Sequence, residues 1–251
     1  WFGFEYDIKR YEQIRTKVTH THHGHLNPDW WLKSKPPFKL NFIAISKWMQ
    51  SVYKPMGIES EYAYNPIDTD KYAFCAQKGD RLLFVGRFDK FKQPHVAIEV
   101  AKKLGMGLDL VGGSFVQDKA YLEEIRNACD GKQITFNADV SQEVKIEFMQ
   151  KAKCLLFPSA MGEPFGLCPA EAASCGTPTV GLNDGAIAEV TENGVTGFVC
   201  KNVDEMVEAV KKIDQINPKV CRDRVISMFS LEKIALRYVE LYKKALGGQE
   251  W

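Results

Sequence analysis

The sequence predicts an α/β protein built around a doubly wound parallel sheet, and three observations carry that expectation. Between about residues 82 and 200, short apolar runs rich in β-branched and aromatic residues alternate with stretches of helical periodicity, the signature of βα units. Gly105 and Gly131 sit where the helical patterns should stop and read as C-caps. The composition, 45% hydrophobic and 26% charged over 251 residues, is globular and long enough for one large domain or two smaller ones.

The expected strands are LLFVG (82–86), LDLVG (108–112), ITFNA (134–138), CLLFPS (154–159), PTVGL (178–182) and GFVC (197–200). Between them PHVAIEVAKKLG, DKAYLEEIRNACDG and SQEVKIEFMQKA read as amphipathic helices. A sheet of this kind binds ligands at the carboxyl ends of its strands, where the βα loops gather. Residues 1–66 differ in character, with four histidines at 20–25 and a Pro-Pro pair at 36–37, although VTHTHH and LNFIAIS suit strands of another α/β layer. They read as the terminal segment of a preceding domain, joined by YNPIDTDKY (64–72) to a main unit over 67–230. VDEMVEAVKKI, CRDRVISMF and SLEKIALRYVELYKKAL are three closing helical patterns, with Ser230 as N-cap of the last, over 231–251.

Charge and cysteine content exclude several function classes. A net charge of +1, from 33 basic and 32 acidic residues, gives no whole-chain reason for nucleic-acid binding, so any anion site must be local. The seven cysteines are scattered without a CxxC pair, which argues against a disulfide framework and a structural zinc site and for a reducing, cytosolic setting. No apolar run approaches the roughly 18 residues of a membrane span. Because residue 1 is Trp rather than Met, a fragment or processed form is the expectation.

The densest chemistry lies in PSAMGEPFGLCPAEAASCGTPTV (158–180): a strand ends, a Gly-containing loop follows, and a helix begins near Gly166 to Pro169. A helix start there aims unpaired N–H groups and the positive dipole end at the strand-end crevice, an anion site suited to phosphate. Glu163 in the loop and Glu171 on the helix flank it, better placed to accept hydrogen bonds from hydroxyls than to touch phosphate. In FVGRFDKFKQPHVAIEV (84–100), Arg87 follows the first strand and Lys92 sits in the loop before its helix, two cations able to neutralise a diphosphate without a metal. The bland alternative is a solvated surface.

Together VGRFDKFKQPHVAIEVAKKL, LVGG, EPFGLCPAEAASCGTPTV and GAIAEVTENGVTGFV resemble the family-four retaining glycosyltransferases of the GT-B fold, from about residue 60 onward. The most specific element is the Glu, seven-residue, Glu motif from Glu163 to Glu171. The resemblance implies two Rossmann-like domains, of which the N-terminal, acceptor-side one is represented by its last segment, and a final helix packing back across the junction. It further implies that Arg87 and Lys92 hold the donor diphosphate, Glu163 the hydroxyls of the transferred sugar and Glu171 the nucleotide ribose. Backbone groups of Phe165, Gly166 and Leu167 would contact sugar and phosphate, and FNADV (136–140) would border the base. Thr21-His22-His23-Gly24 fits the family's strand-end Thr-x-His-Gly setting, with His23 as the match, touching donor sugar or developing charge.

The implied activity is retaining transfer of a sugar from a nucleoside-diphosphate donor to an unidentified acceptor, with no cofactor and no metal. A non-catalytic nucleotide-sugar-binding fragment, a nucleotide-sugar epimerase and a phosphorylase are the alternatives. A zinc site at His20, His22, His23 and His25 is disfavoured, because successive strand residues face opposite sides, so that His20 and His22 diverge from His23, and no acidic or Cys ligand partner stands nearby. The cluster Trp30, Trp31, Lys33, Lys35 and Lys39 reads as a loop packing its tryptophans inward rather than a membrane contact, since Pro36 and Pro37 break a long amphipathic helix. The chain alone is expected to bind donor, to transfer poorly, and to self-associate through an uncovered face of its last helix.

Overall fold

The computed structural model describes residues 19–24 and 40–251, which form two parallel sheets and their helices. His25 and the cluster from Trp30 to Lys39 lie outside the described residues. The smaller sheet has the order β1-β2-β3, with β1 at Thr19–His22, β2 at Asn41–Ala44 and β3 at Ser60–Tyr62, and helix α1 (Lys47–Tyr53) follows β2. Both candidate strands near the N-terminus therefore pair as parallel strands of a second layer, His22 lying beside Ala44.

The larger sheet is built from β4 (Leu82–Val85), β5 (Leu108–Gly112), β6 (Ile134–Ala138), β7 (Cys154–Phe157), β8 (Thr179–Leu182) and β9 (Gly197–Cys200). Helices α2 (Pro94–Leu104), α3 (Lys119–Asn127), α4 (Gln142–Lys151), α5 (Leu167–Ser174) and α6 (Ile187–Val190) connect them in turn. Strands β4 and β7 are buried at every residue, as their unbroken apolar sequences require when helices cover both faces. In α2 the buried Val96, Ala97, Val100 and Ala101 share one face, which is the helical spacing that packs it on the sheet. Its C-cap is Gly105 at φ 65°, as expected. Gly131 is not a C-cap: α3 stops at Asn127 with Ala128 right-handed, and Gly131 (φ 72°) serves a turn held by the Asp130 carboxylate, which accepts from the N–H groups of Lys132 and Ile134.

Past β9 come α7 (Val203–Lys211), α8 (Pro218–Phe229) and α9 (Leu231–Leu246), the last capped by Ser230. Helix α9 returns to the small sheet: Leu241 packs with Ile43 and Ala63, and Arg237 and Lys244 pair with Glu61 at 2.7 and 2.8 Å. Burial pushes the Glu61 carboxyl up, but these two cations outweigh it and hold its pKa below the ordinary value. Between the sheets Tyr64, Phe165 and Phe229 stack edge to face or tilted, with centroids 5.1–5.9 Å apart. The opposite face of α9 leaves Leu236, Val239, Tyr242 and Leu246 exposed. No described helix is long and apolar enough to cross a membrane.

Candidate functional site

The strand order β6-β5-β4-β7-β8-β9 fixes where a ligand can enter. From β4 the chain winds outward through β5 to β6, then returns to β7 and winds the other way. Connections leaving β4 and β7 therefore diverge, and a crevice opens at the carboxyl ends of these two strands. The candidate side chains border it: Arg87 and Lys92 follow β4, and Glu163 and the start of α5 follow β7.

The loop after β4 is organised by Asp89. Its carboxylate accepts from the backbone N–H of Lys92 at 3.0 Å and pairs with the Arg87 guanidinium at 3.1 Å. Arg87 remains 63% exposed, while Lys92 turns inward over the Phe157 ring, 5.8 Å from its centroid, and forms an ion pair with Glu163. Space for this loop comes from Gly112, where a Cβ would stand 1.7 Å from the Gly86 carbonyl oxygen.

The loop after β7 is held from three sides. Met161 and Gly162 adopt positive φ (71° and 77°), turning the chain so that the Gly162 N–H donates to both oxygens of Asp184 at 3.0 Å. Ala186 N–H donates to the Glu163 carbonyl at 2.8 Å, and a Cβ on Gly185 would stand 2.2 Å from that same oxygen. The Ser46 hydroxyl, at the end of the small sheet, donates to the Pro164 carbonyl at 2.6 Å. Glu163 is thus positioned by backbone on both sides while its carboxylate accepts from Ser159 at 3.2 Å and from Lys92.

Helix α5 starts at Gly166, left-handed at φ 96° and without a side-chain cap, so its first N–H groups face the crevice. Phe165 is buried in the aromatic junction, which leaves only its backbone for a ligand, whereas Leu167 is half exposed. One turn on, Glu171 accepts from Tyr72 Oη at 2.5 Å and from Lys145 Nζ at 2.9 Å. Burial, and then the Glu171 charge, push the Tyr72 hydroxyl up to about 12, so it stays protonated. Burial works against the Lys145 charge, but Glu171 outweighs it and raises the ammonium pKa. Burial also pushes the Cys168 thiol up to about 12, which makes it inert as a nucleophile at neutral pH.

His23 is exposed at the carboxyl end of β1. By register it lies one strand across from the Ile45–Ser46 segment, hence on the side of the small sheet that meets the Pro164 loop. FNADV belongs to β6 and its exit, where Asp139 takes φ 54° and accepts from the Ser114 N–H at 3.0 Å. Several contributors went unseen in the sequence, among them Tyr72, Lys145, Ser46 and Glu189. Glu189 on α6 accepts from the N–H groups of Lys47 and Trp48 and from Tyr64 Oη at 2.7–3.0 Å, joining α1 to the large sheet. Gln142 and Lys145, three positions apart on α4, share one helix face, but nothing in the sequence says what that face meets.

Comparison with known proteins agrees with this architecture. The chain is 24% identical over 271 residues to glycogen synthase of Mycobacterium tuberculosis (strain H37Rv), covering 97% of this chain and 65% of that protein. It is 26% identical over 183 residues to D-inositol 3-phosphate glycosyltransferase of Mycobacterium leprae (strain TN), covering 67% and 42%. The chain thus spans less than two thirds of these relatives' length. Among solved structures, HepE of Anabaena in complex with UDP and glucose superposes with a TM-score of 0.83 at 18% identity, covering 94% of this chain and 74% of that one. AviGT4, a glycosyltransferase involved in avilamycin A biosynthesis, superposes at 0.75 with 22% identity, covering 99% and 80%. The fold is that of the GT-B glycosyltransferases. The family model for glycosyl transferases group 1 matches residues 72–222, more than half of the chain and all of the crevice from Tyr72 to Glu171, and the chain belongs to that family.

Proposed function

We propose that this chain carries the donor site of a glycosyltransferase that moves a sugar from a nucleoside-diphosphate sugar to an acceptor, with retention of anomeric configuration and without a divalent metal. The observation that supports it best is the convergence of Arg87, Lys92, the α5 N-terminus and Glu163 on one crevice at the switch between β4 and β7. Two cations and a helix dipole suit a departing diphosphate, whose charge develops as the bond from the sugar C1 breaks. Glu163 would accept from sugar hydroxyls, and His23 would face the reacting carbon from the small sheet. Lys92 has to share its charge between Glu163 and the incoming phosphate, so donor binding rearranges that ion pair.

The experiment is a transfer assay with UDP-, GDP- and ADP-sugars and an acceptor panel, run with and without EDTA, the product's anomeric configuration being read by NMR. Transfer that persists in EDTA and gives the donor's own configuration is expected. An inverted product would overturn retention, and activity lost to EDTA and restored by manganese would overturn metal independence. Because this chain alone is expected to transfer slowly, the binding-module reading is favoured only if bound donor gives no product on any acceptor even over many hours with excess protein.

A further inference from the structure

Glu171 is gripped more completely than a surface glutamate needs to be. Tyr72 Oη lies 2.5 Å from one carboxylate oxygen and Lys145 Nζ 2.9 Å from the other, so each oxygen has one protein partner. The tyrosine's direction is also decided. A hydroxyl has one hydrogen and two acceptor lone pairs. Gln142 Nε2 donates to Tyr72 Oη at 2.9 Å and Lys145 Nζ donates at 3.2 Å, which occupies both lone pairs. The hydrogen is left to Glu171. A carboxylate offers about two lone-pair positions per oxygen, four in all. With one taken on each oxygen, one remains on each. Two fixed contacts thus orient the carboxylate, and the side chain, 14% exposed, keeps one acceptor position on each oxygen.

We infer that Tyr72 and Lys145 are positioning residues that turn Glu171 into an acceptor for two adjacent hydroxyls, so that the site selects a ribonucleoside diphosphate over its deoxy analogues. The inference rests on the proposed reading that Glu171 meets the nucleotide ribose. A vicinal diol donates one hydrogen to each open position. A 2′- or 3′-deoxyribose leaves one position of a desolvated carboxylate without a donor, the situation in which hydroxyl-reading sites discriminate most strongly. Tyr72 comes from the segment that joins the two sheets, whereas Glu171 and Lys145 come from helices of the large one, so selectivity depends on how that segment is seated.

The test measures affinity by calorimetry for whichever of UDP, GDP and ADP binds tightest, and for its 2′-deoxy and 3′-deoxy forms. Inorganic pyrophosphate serves as the control for the phosphate end. Wild type should prefer the ribonucleotide by about 10- to 100-fold, the scale of one charge-assisted hydrogen bond. Tyr72→Phe keeps the ring and loses the hydroxyl; its preference should fall to within about threefold while pyrophosphate affinity holds. Gln142→Leu, which leaves Tyr72 in place and removes one of its two donors, should lower the preference by a smaller factor and covers the case in which Tyr72→Phe is unstable. An unchanged preference in folded Tyr72→Phe, or in Gln142→Leu if the former does not fold, overturns the inference. Glu171→Gln separates that failure from failure of the underlying reading. If Glu171→Gln loses ribonucleotide affinity while the preference survives in Tyr72→Phe, only the positioning role is wrong; if Glu171→Gln binds as wild type does, the ribose is not at Glu171 and both fall.

Discussion

The two lysine–glutamate pairs of the crevice, Lys92–Glu163 and Lys145–Glu171, use the same side chains on opposite kinds of backbone. Glu163 stands on a loop with two successive positive-φ residues, and its main chain is held by the Asp184–Ala186 segment. Glu171 stands on regular helix and its side chain is held instead, by Tyr72 and Lys145. The first arrangement fixes where the carboxylate starts and leaves the head able to exchange Lys92 for a ligand. The second fixes the head itself. A group that must follow a reacting centre suits the first, and a group that only recognises a constant part of the donor suits the second.

The largest effect should separate these two roles. Glu163→Ala is expected to lower kcat by about 10²–10³-fold, the scale of one preorganised polar contact to the reacting part. Its affinity for free nucleoside diphosphate should be unchanged or tighter, because removing Glu163 releases Lys92 to the phosphate. Glu171→Ala should weaken nucleoside diphosphate and nucleotide sugar alike. Calorimetry with both ligands decides it: equal losses for both ligands in Glu163→Ala would erase the distinction between the pairs.

Next in size are the two cations. Lys92→Ala and Arg87→Ala should each weaken nucleoside-diphosphate binding by about 1.5–3 kcal/mol, as expected for a charge-assisted contact. The 63% exposed Arg87 belongs toward the lower end. Neither change should lower the melting temperature appreciably, since neither side chain is in the core. Titration calorimetry beside thermal unfolding would show it, and unchanged affinity in both variants would mean that this loop is ordinary solvated surface.

The same contrast explains what could be read in advance. Strands β4 and β7 are legible because both faces are buried and the apolar run is continuous; the α5 start is legible because Gly166 and Pro169 punctuate it. Glu163 and Glu171 stand out through the resemblance that their spacing carries. The contacts that hold them do not, because they are long-range: Tyr72 meets Glu171 across 99 positions and Ser46 meets Pro164 across 118, and even Lys92, itself legible as a cation, meets Glu163 across 71. A lysine on an amphipathic helix such as Lys145 has the pattern of any solvated charge until the sheet order brings α4 beside α5. Gly131 misled for the related reason that a glycine marks left-handed backbone without saying which turn needs it.

The smallest effect concerns a third acid, Glu61, which has two cations and no place in the crevice. It ties α9 to the small sheet through Arg237 and Lys244, and those cations hold its pKa below the ordinary 4.5 against the pull of burial. A carboxylate whose folded-state pKa is depressed stabilises the fold fully above its unfolded value and loses that contribution as the pH falls through the folded value. The tie should therefore be complete at neutral pH and vanish below the usual carboxylate range. Because all three side chains are partly exposed, solvent screening limits it to about 1 kcal/mol or less, or about 2–4 °C in melting temperature for a chain of this size. Glu61→Gln keeps the side-chain shape and removes the charge. Its melting temperature should fall short of wild type at about pH 7 and approach it as the pH falls through the lowered folded-state value, where wild-type Glu61 takes up its proton. A gap that persists unchanged in acid would mean that packing of Leu241 on Ile43 and Ala63, rather than charge, holds α9 in place, and that Glu61 differs from both crevice glutamates in having no electrostatic work to do.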